Sequence, residues 1–426
     1  MTARTRGCAG AWGAVFACSW GGNQFSPLLV MYEQRAHYSA LMVNALLGVY
    51  VLGLAPALLI AGPLSDRRGR RPVMLAGMAA AVAGSALLAL GPDGAIFLVA
   101  GRLLSGCTVG IALAAGSSWI KELSQPPFDQ AADGTSGARR SSLAFSAGAG
   151  AGALVAGLIA QWGPAPEVLP FVIHIAVTVP CVLGVLATPE TNPAGAAASG
   201  ARPAGPVWRQ LRVRSAGHRR FVRVVAIAAP WVFGGAALGY GYLPTQLRGV
   251  TGSWGLVFAT ATTVVALGVS SVIQPAAKRL HSAGSARGLA AGLLVLAAGI
   301  AACVLAITAQ SVWWGLAANV VIGAGLGITM VSGLLEVQAI AAPGDLAGLT
   351  GAFYALAYAG FLAPAIISAI AGAIPVTAIL WVIVALAVAC WALVLTASTR
   401  HLPATRTPYP ERINASAPDP AVSRRR

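Results

Sequence analysis

Few side chains in this 426-residue chain could do chemistry, and the informative ones sit inside or beside long apolar runs. Arg102 stands in Gly101-Arg102-Leu103-Leu104-Ser105-Gly106-Cys107-Thr108-Val109-Gly110, a stretch with no other charge. A charge at membrane depth costs at least about 2.5–3.5 kcal/mol, so such an arginine has to face a cavity or a partner. Arg102 lies about six residues, or roughly 9 Å, inside the end of its run, which brings it level with Asn23, Gln24 and Phe25 of the first run. Arg102, Asn23 and Gln24 are therefore expected to line a central site for a small molecule. His174 is the one acid or base plainly inside a run. An ordinary pKa near 6.5 suits a histidine to shuttling protons, although a lone His in a helix also serves as a hydrogen-bonded structural residue. Glu336, near the end of a later run, is the second candidate for moving protons. Trp20, Trp231, Tyr240, Tyr354 and Tyr358 are expected to shape the pocket, and Tyr354 and Tyr358, four apart, share a helix face. These aromatic residues would serve equally well as core.

Whole classes of function are excluded by what is missing. There is no phosphate-binding Gly-rich loop ending in Lys-Ser/Thr, no metal-ligand cluster and no Ser/His/Asp set in register. The chain does not read as an enzyme, and no cofactor is expected. Cys8, Cys18, Cys107, Cys181, Cys303 and Cys390 show no C-x-x-C spacing and read as small core residues. The formal net charge of +16 could suggest a nucleic-acid partner, but the basic residues fall between apolar runs instead of gathering on a polar, aromatic surface.

The elements that position these residues follow from hydropathy. The chain is 57% hydrophobic and 9% charged, against about 25% charged in soluble domains. Apolar runs long enough to cross a bilayer recur about twelve times. In the first half they fall near 9–31, 40–62, 73–91, 96–120, 140–162 and 168–187, and in the second near 221–243, 255–277, 288–309, 312–335, 349–373 and 376–397. The expected organisation is an N-terminal six-helix bundle over 1–188, a cytoplasmic linker over 189–220, a C-terminal six-helix bundle over 221–400 and a disordered cytoplasmic tail over 401–426. Met1–Arg6 precedes a run too long for a cleaved signal and reads as the lead-in to the first span.

Charge asymmetry orients the bundle. With the N-terminus inside, the outer loops hold only Arg35 and Arg248, Arg102 is within a span, and the other 25 of the 28 basic residues face the cytoplasm. Both termini are then cytoplasmic, and Trp162, Trp254, Trp313 and Trp314 fall at the outer interface. A weak internal repeat supports two halves. A shift of 217 places Arg102 on Asn319, Gly106 on Gly323 and Gly110 on Gly327; a shift of 208 places Ala144-Phe145 on Ala352-Phe353.

The decapeptide Gly62-Pro63-Leu64-Ser65-Asp66-Arg67-Arg68-Gly69-Arg70-Arg71 packs five charges between the second and third runs and reads as a short loop. Gly62, Leu64, Asp66, Arg67, Gly69, Arg70 and Arg71 resemble the G-x-L-x-D-R-x-G-R-R/K signature of the major facilitator superfamily. The Arg102–Gly110 stretch resembles that family's fourth-helix motif, and Pro189-Glu190-Thr191 resembles an element found after the sixth helix of several transporter families. The resemblance implies an all-α membrane protein of twelve transmembrane helices, with substrate bound between two halves that rock to give alternating access. It also implies that Asp66 sits against the start of the eleventh helix, near Leu349–Gly351, in a gating latch with Gly62, Arg67, Gly69 and Arg70. The alternative for Arg70 and Arg71 is a purely topogenic role.

Function is read as export of small hydrophobic compounds in exchange for protons, from a bacterial cytoplasmic membrane, by a monomer with the lipid bilayer and a small-molecule substrate as partners. The alternative is an importer or facilitator of a small organic anion with Arg102 as counter-ion. A third reading is a non-transporting receptor on the same fold. Exporters of this family commonly carry an acid within the first or fourth helix, and none is present here. The fifth run, with Ser146-Ala147-Gly148-Ala149-Gly150-Ala151-Gly152, matches the exporters' glycine-rich signature only in part, because it has no proline.

Overall fold

The computed structural model describes residues 6–132, 136–192, 213–280, 282, 284–342 and 345–400. Most of the expected linker and all of the expected tail lie outside these residues. Twelve long helices follow one another among the described residues: α1 (Arg6–Asn23), α2 (Ala40–Arg68), α3 (Arg70–Ala89), α4 (Ala95–Leu123), α5 (Ser136–Trp162), α6 (Leu169–Ala187), α7 (Phe221–Gln246), α8 (Gly255–Arg279), α9 (Arg287–Thr308), α10 (Val312–Ile340), α11 (Gly348–Ile370) and α12 (Val376–Ala397). Among the described residues eleven helices are long and apolar enough to cross a membrane, and α1, with 18 residues, completes twelve. A backbone in lipid has to bond to itself, which is why every span is helical. Ser39 and Ser311 close the starts of α2 and α10 by accepting from Met42 N and Trp314 N.

Helix pairing repeats with an offset of six. In the first set α1 packs on α5 and α6, α2 and α3 pack on α4, and α3 packs on α6. In the second, α7 packs on α11 and α12, α8 and α9 on α10, and α9 on α12. Between the sets α5 runs against α8 and α2 against α11. Glycines make the tightest of these contacts. A Cβ on Gly106 would lie 2.0 Å from Tyr50 O, and one on Gly110 would lie 2.6 Å from Leu54 O, so α4 meets α2 backbone to backbone. Gly323 and Gly327 do the same for α10 on α8, with Ala266 O and Ser270 O each 2.5 Å from a notional Cβ. The pairs related by a shift of 217 thus do the same work in each half.

Two boundaries differ from expectation. The decapeptide is no loop: α2 continues through Pro63 to Arg68, and α3 begins at Arg70. The whole reversal occurs at Gly69, whose φ of +95° is a conformation other residues rarely adopt. The first run is also broken, because α1 stops at Asn23 and gives way to a single turn at Ser26–Leu28 and the short helix Leu29–Gln34.

Replacing Gly106 or Gly323 with Leu should force α2 from α4 or α8 from α10, at a cost of at least about 1–3 kcal/mol. Thermal unfolding in detergent should fall by several degrees for either variant. Gly268→Ala, where a Cβ meets nothing within 4 Å, should melt with the parent.

Candidate functional site

Arg102 is 2% exposed in the middle of the first half. Its guanidinium carbon lies 4.7 Å from the Phe25 ring centroid and 4.5 Å from that of Tyr50. Its Nε donates to Leu46 O at 3.1 Å and its Nη1 to Gly22 O at 3.3 Å. Two aromatic faces and two carbonyls therefore stabilise the cation where a carboxylate would be expected. Asn319 is the counterpart of Arg102 in the repeat, and its Nδ2 donates to Gly239 O at 3.1 Å. Gly22 and Gly239 are themselves 217 apart, so each half ties its fourth helix to a freed carbonyl of its first. Bracing is thus shared by both positions, and the positive charge belongs to Arg102 alone.

Tyr50 carries this group across to the second half. Its ring lies 6.1 Å from Tyr358 and 6.3 Å from Phe361, and Phe233 stacks on Tyr358 at 4.1 Å and on Phe361 at 5.4 Å. Tyr354 follows at 6.5 Å from Tyr358, and Tyr240 is buried in the same cluster. The centre is thus an aromatic assembly from α2, α7 and α11, with one cation behind it. Of the expected pocket residues, Arg102, Tyr240, Tyr354 and Tyr358 come together here.

Four others do not. Gln24 turns into the first half, where its Nε2 donates to Ser85 Oγ at 3.1 Å. Asn23 bonds its own helix through Ser19 O. Trp20 lies 6.5 Å from the His174 ring, against Gly152 of α5. Trp231 packs against the large central cluster as well as those around Leu296 and Ile300, but among the described residues it makes no ring contact with the assembly. Tyr50, Phe233 and Phe361 were not singled out from sequence, and Phe25 was named only as lying level with Arg102. Tyr50 carries a usable signal as the one aromatic residue in α2, and Phe233 is two residues, or about 200° of helix, away from Trp231.

Both proton candidates are engaged. His174 Nε2 is 2.9 Å from Ala17 O, an atom that can only accept, so that nitrogen carries the hydrogen. Nδ1 then accepts from Ser85 Oγ at 2.7 Å. The chain Gln24–Ser85–His174–Ala17 ties α1, α3 and α6 together, with both imidazole nitrogens engaged inside the first half. Glu336 is 4% exposed and accepts from Arg220 Nε at 2.6 Å and Nη2 at 2.8 Å. Arg220 also donates to Ser398 O and Arg400 O, so Glu336 is spent on fastening α7, α10 and the end of α12.

The decapeptide makes a second fastening on the face that carries the linker. Arg70 donates to Glu122 Oε1 at 2.6 Å and to Ser65 Oγ, and its Nη1 pairs with Asp66 Oδ1 at 2.5 Å. Glu190 accepts from Arg70 N at 2.9 Å and Arg71 N at 2.8 Å, placing its carboxylate on the N-terminus of α3. A Cβ at Gly69 would lie 2.8 Å from Glu190 Oε2, a second reason for glycine there. Thr191 Oγ1 donates to Glu122 Oε2, and Asn192 Nδ2 to Asp66 O. Asp66 is 56% exposed and held by Arg70, and among the described residues it has no bond to the start of α11. The acid on a helix start in this arrangement is Glu190 on α3. Gly62 has nothing within 4 Å of a notional Cβ, and Arg67 lies in the last turn of α2. The start of α11 is held differently: Asp345 accepts from Ser215 N and Oγ, each at 2.9 Å, and these bonds keep its carboxyl below the usual range.

The two halves meet unevenly. On the face away from the linker, Glu33 pairs with Arg248 at 3.1 Å, Gln161 donates to Ser253 O, Asn44 donates to Ser368 Oγ, and Trp162 packs edge-on against Trp254. Residues Phe25 and Leu28–Tyr32 below this seal are at most 1% exposed. On the linker face, Phe145, Ile227, Met330, Leu334 and Tyr354 remain partly exposed. A bond from Ser142 Oγ to Gln274 Oε1 at 3.3 Å joins the halves there.

Comparison with known proteins agrees with this geometry. The multidrug resistance protein MdtL of Escherichia coli O45:K1 is 44% identical over 62 residues, covering 15% of this chain and 16% of that protein. The counterpart from Citrobacter koseri is 40% identical over 62 residues, so the chain spans 16% of the length of these curated relatives. A POT family transporter solved with 5-aminolevulinic acid superposes with a TM-score of 0.73 at 13% identity, covering 93% of this chain and 96% of that one. The human organic anion transporter TETRAN superposes with a TM-score of 0.58 at 17% identity, covering 92% and 100%. At such identities the structures speak for the fold alone. The sequence model of the Major Facilitator Superfamily matches residues 11–362, from α1 into α11, and the chain belongs to that superfamily of membrane transporters.

Proposed function

We propose that this chain exports small, mostly apolar compounds by alternating access, with the linker face in the cytoplasm. The observation that carries the reading is the aromatic assembly of Tyr50, Phe233, Tyr354, Tyr358 and Phe361 where the halves meet, with few hydrogen-bonding side chains around it. Flat apolar surfaces suit amphiphilic or drug-like cargo better than sugars, which need many polar partners. The short match to a multidrug resistance protein points the same way. The asymmetry of basic residues along the sequence supports both termini in the cytoplasm of a bacterial inner membrane. The far-face seal then corresponds to a state closed to the outside. Proton exchange would drive export, through a group other than His174 and Glu336.

One observation favours a second reading. Arg102 has no acidic partner among its described contacts, so a carboxylate cargo would supply the missing charge, as an importer of small organic anions requires. Proteoliposomes loaded with a pH dye separate the two. A panel of neutral lipophilic compounds, lipophilic cations and small carboxylates should show proton-linked movement of the lipophilic members and none of the carboxylates. Carboxylate uptake alone would overturn the export reading. Tyr358→Ala should lower lipophilic transport about tenfold or more while leaving the protein monodisperse, since it removes the ring that Tyr50, Phe233 and Phe361 share.

The fastening on the linker face generates a further expectation. Glu122→Gln leaves Arg70 with Asp66 and Ser65 but no bidentate partner, and losing one member of such a pair costs about 3–5 kcal/mol when it is buried, less here at the edge. Transport should fall severely while surface expression persists; unchanged transport would reduce Arg70–Glu122 to an orientation signal.

A further inference from the structure

Glu33 is an acid the transport site does not use. It lies beyond α1 in the short helix Leu29–Gln34, and its side chain is 9% exposed between the halves. One carboxylate oxygen, Oε1, lies 3.1 Å from Arg248 Nη1, and the other, Oε2, is buried with no hydrogen-bond partner. Arg248 is 44% exposed, and its Nε is engaged with Thr245 O at 3.0 Å, so water screens its charge. Among the described residues of the second half, Tyr242 of α7 is the other titratable group that faces Glu33. The adjoining stretches of α2 (40–44) and α8 (255–259) carry no titratable residue, and Arg35, His37 and Tyr38 follow Glu33 on its own segment.

We propose that closing the outer face loads a proton onto Glu33 and that opening it returns the proton to the outside. The proton comes from external water and settles on the unpartnered carboxylate oxygen, while Arg248 keeps its charge, its place beside the other oxygen and its access to water. An ionised carboxylate with one oxygen buried and unbonded is poorly stabilised, and its neutral form loses far less on leaving water. Burial accordingly pushes this carboxyl up, and Arg248 offsets only part of the rise. When the halves part, Glu33 meets water and returns to the ordinary carboxylate range. The closed face thus binds the proton more tightly than the open one. Acid outside favours closure, and that contribution is lost as pH rises through the closed-state pKa. The inference rests on alternating access, but no substrate enters its test, so an error in the proposed cargo leaves it standing.

Hydrogen exchange in lipid nanodiscs reads the outer face directly. Backbone amides of 33–41 and 248–256 would be followed at about pH 5.5 and about pH 8, corrected for intrinsic exchange. The wild type should be several-fold more protected at the acid pH, and Glu33→Gln, permanently neutral, should be protected equally at both. Greater wild-type protection at the alkaline pH would make the ion pair the glue and overturn the proposal, as would an unchanged pH dependence in Glu33→Gln. Arg248→Gln gives an independent check, because removing the partner should move the wild-type transition to higher pH. A shift to lower pH, or none, would also overturn it.

Discussion

A guanidinium cannot shed its proton at the edge of a membrane, so it has to be matched by a carboxylate or by carbonyls, and that demand organises this protein. Arg70 with Glu122 fastens α2, α3 and α4, while Glu190 and Thr191 bring in the end of α6. Arg220 with Glu336 fastens α7, α10 and α12. Both fastenings lie on the linker face and both stay within one half. Each half is therefore tied to itself where charge is concentrated, and the bonds between halves are lighter. Between the halves α2 meets α11 and α5 meets α8 through rings, methyl groups and a few amides.

Much of this was legible in the sequence because lipid imposes simple rules. Twelve apolar runs predicted twelve helices, and the repeat at 217 picked out Gly106, Gly110, Gly323 and Gly327, which turned out to be the backbone contacts of α4 and α10. The same shift paired Arg102 with Asn319, and the structure adds why: both donate to matched glycine carbonyls. A repeat can be read from sequence when a side chain, or its absence, is the contact itself.

What was not legible depended on rotation and reach. Trp231 and Phe233 have similar chemistry and lie two residues apart, yet they point to opposite sides of α7, and hydropathy alone does not phase a helix that is apolar all round. Gln24 was expected beside Arg102, but the serine and histidine that draw it away lie 61 and 150 residues further along the chain. Asp66 was expected on α11, and the acid that caps a helix start proved to be Glu190 on α3. The decapeptide read as a loop because of its charge, whereas a single left-handed glycine suffices to reverse the chain.

The enclosure of Arg102 has an electrical consequence. Around the guanidinium the structure offers rings and carbonyls, and the described acids lie toward the ends of the spans or between them. A cargo passing this region therefore meets a fixed positive charge and no negative one to travel beside. Any net charge it bears is moved through the transmembrane field uncompensated, worth about 2.3 kcal/mol per elementary charge per 100 mV. For a neutral compound exchanged for a proton, the proton alone couples the step to the voltage. For an ion, voltage becomes part of the driving force, and its sign decides in which direction the carrier runs downhill.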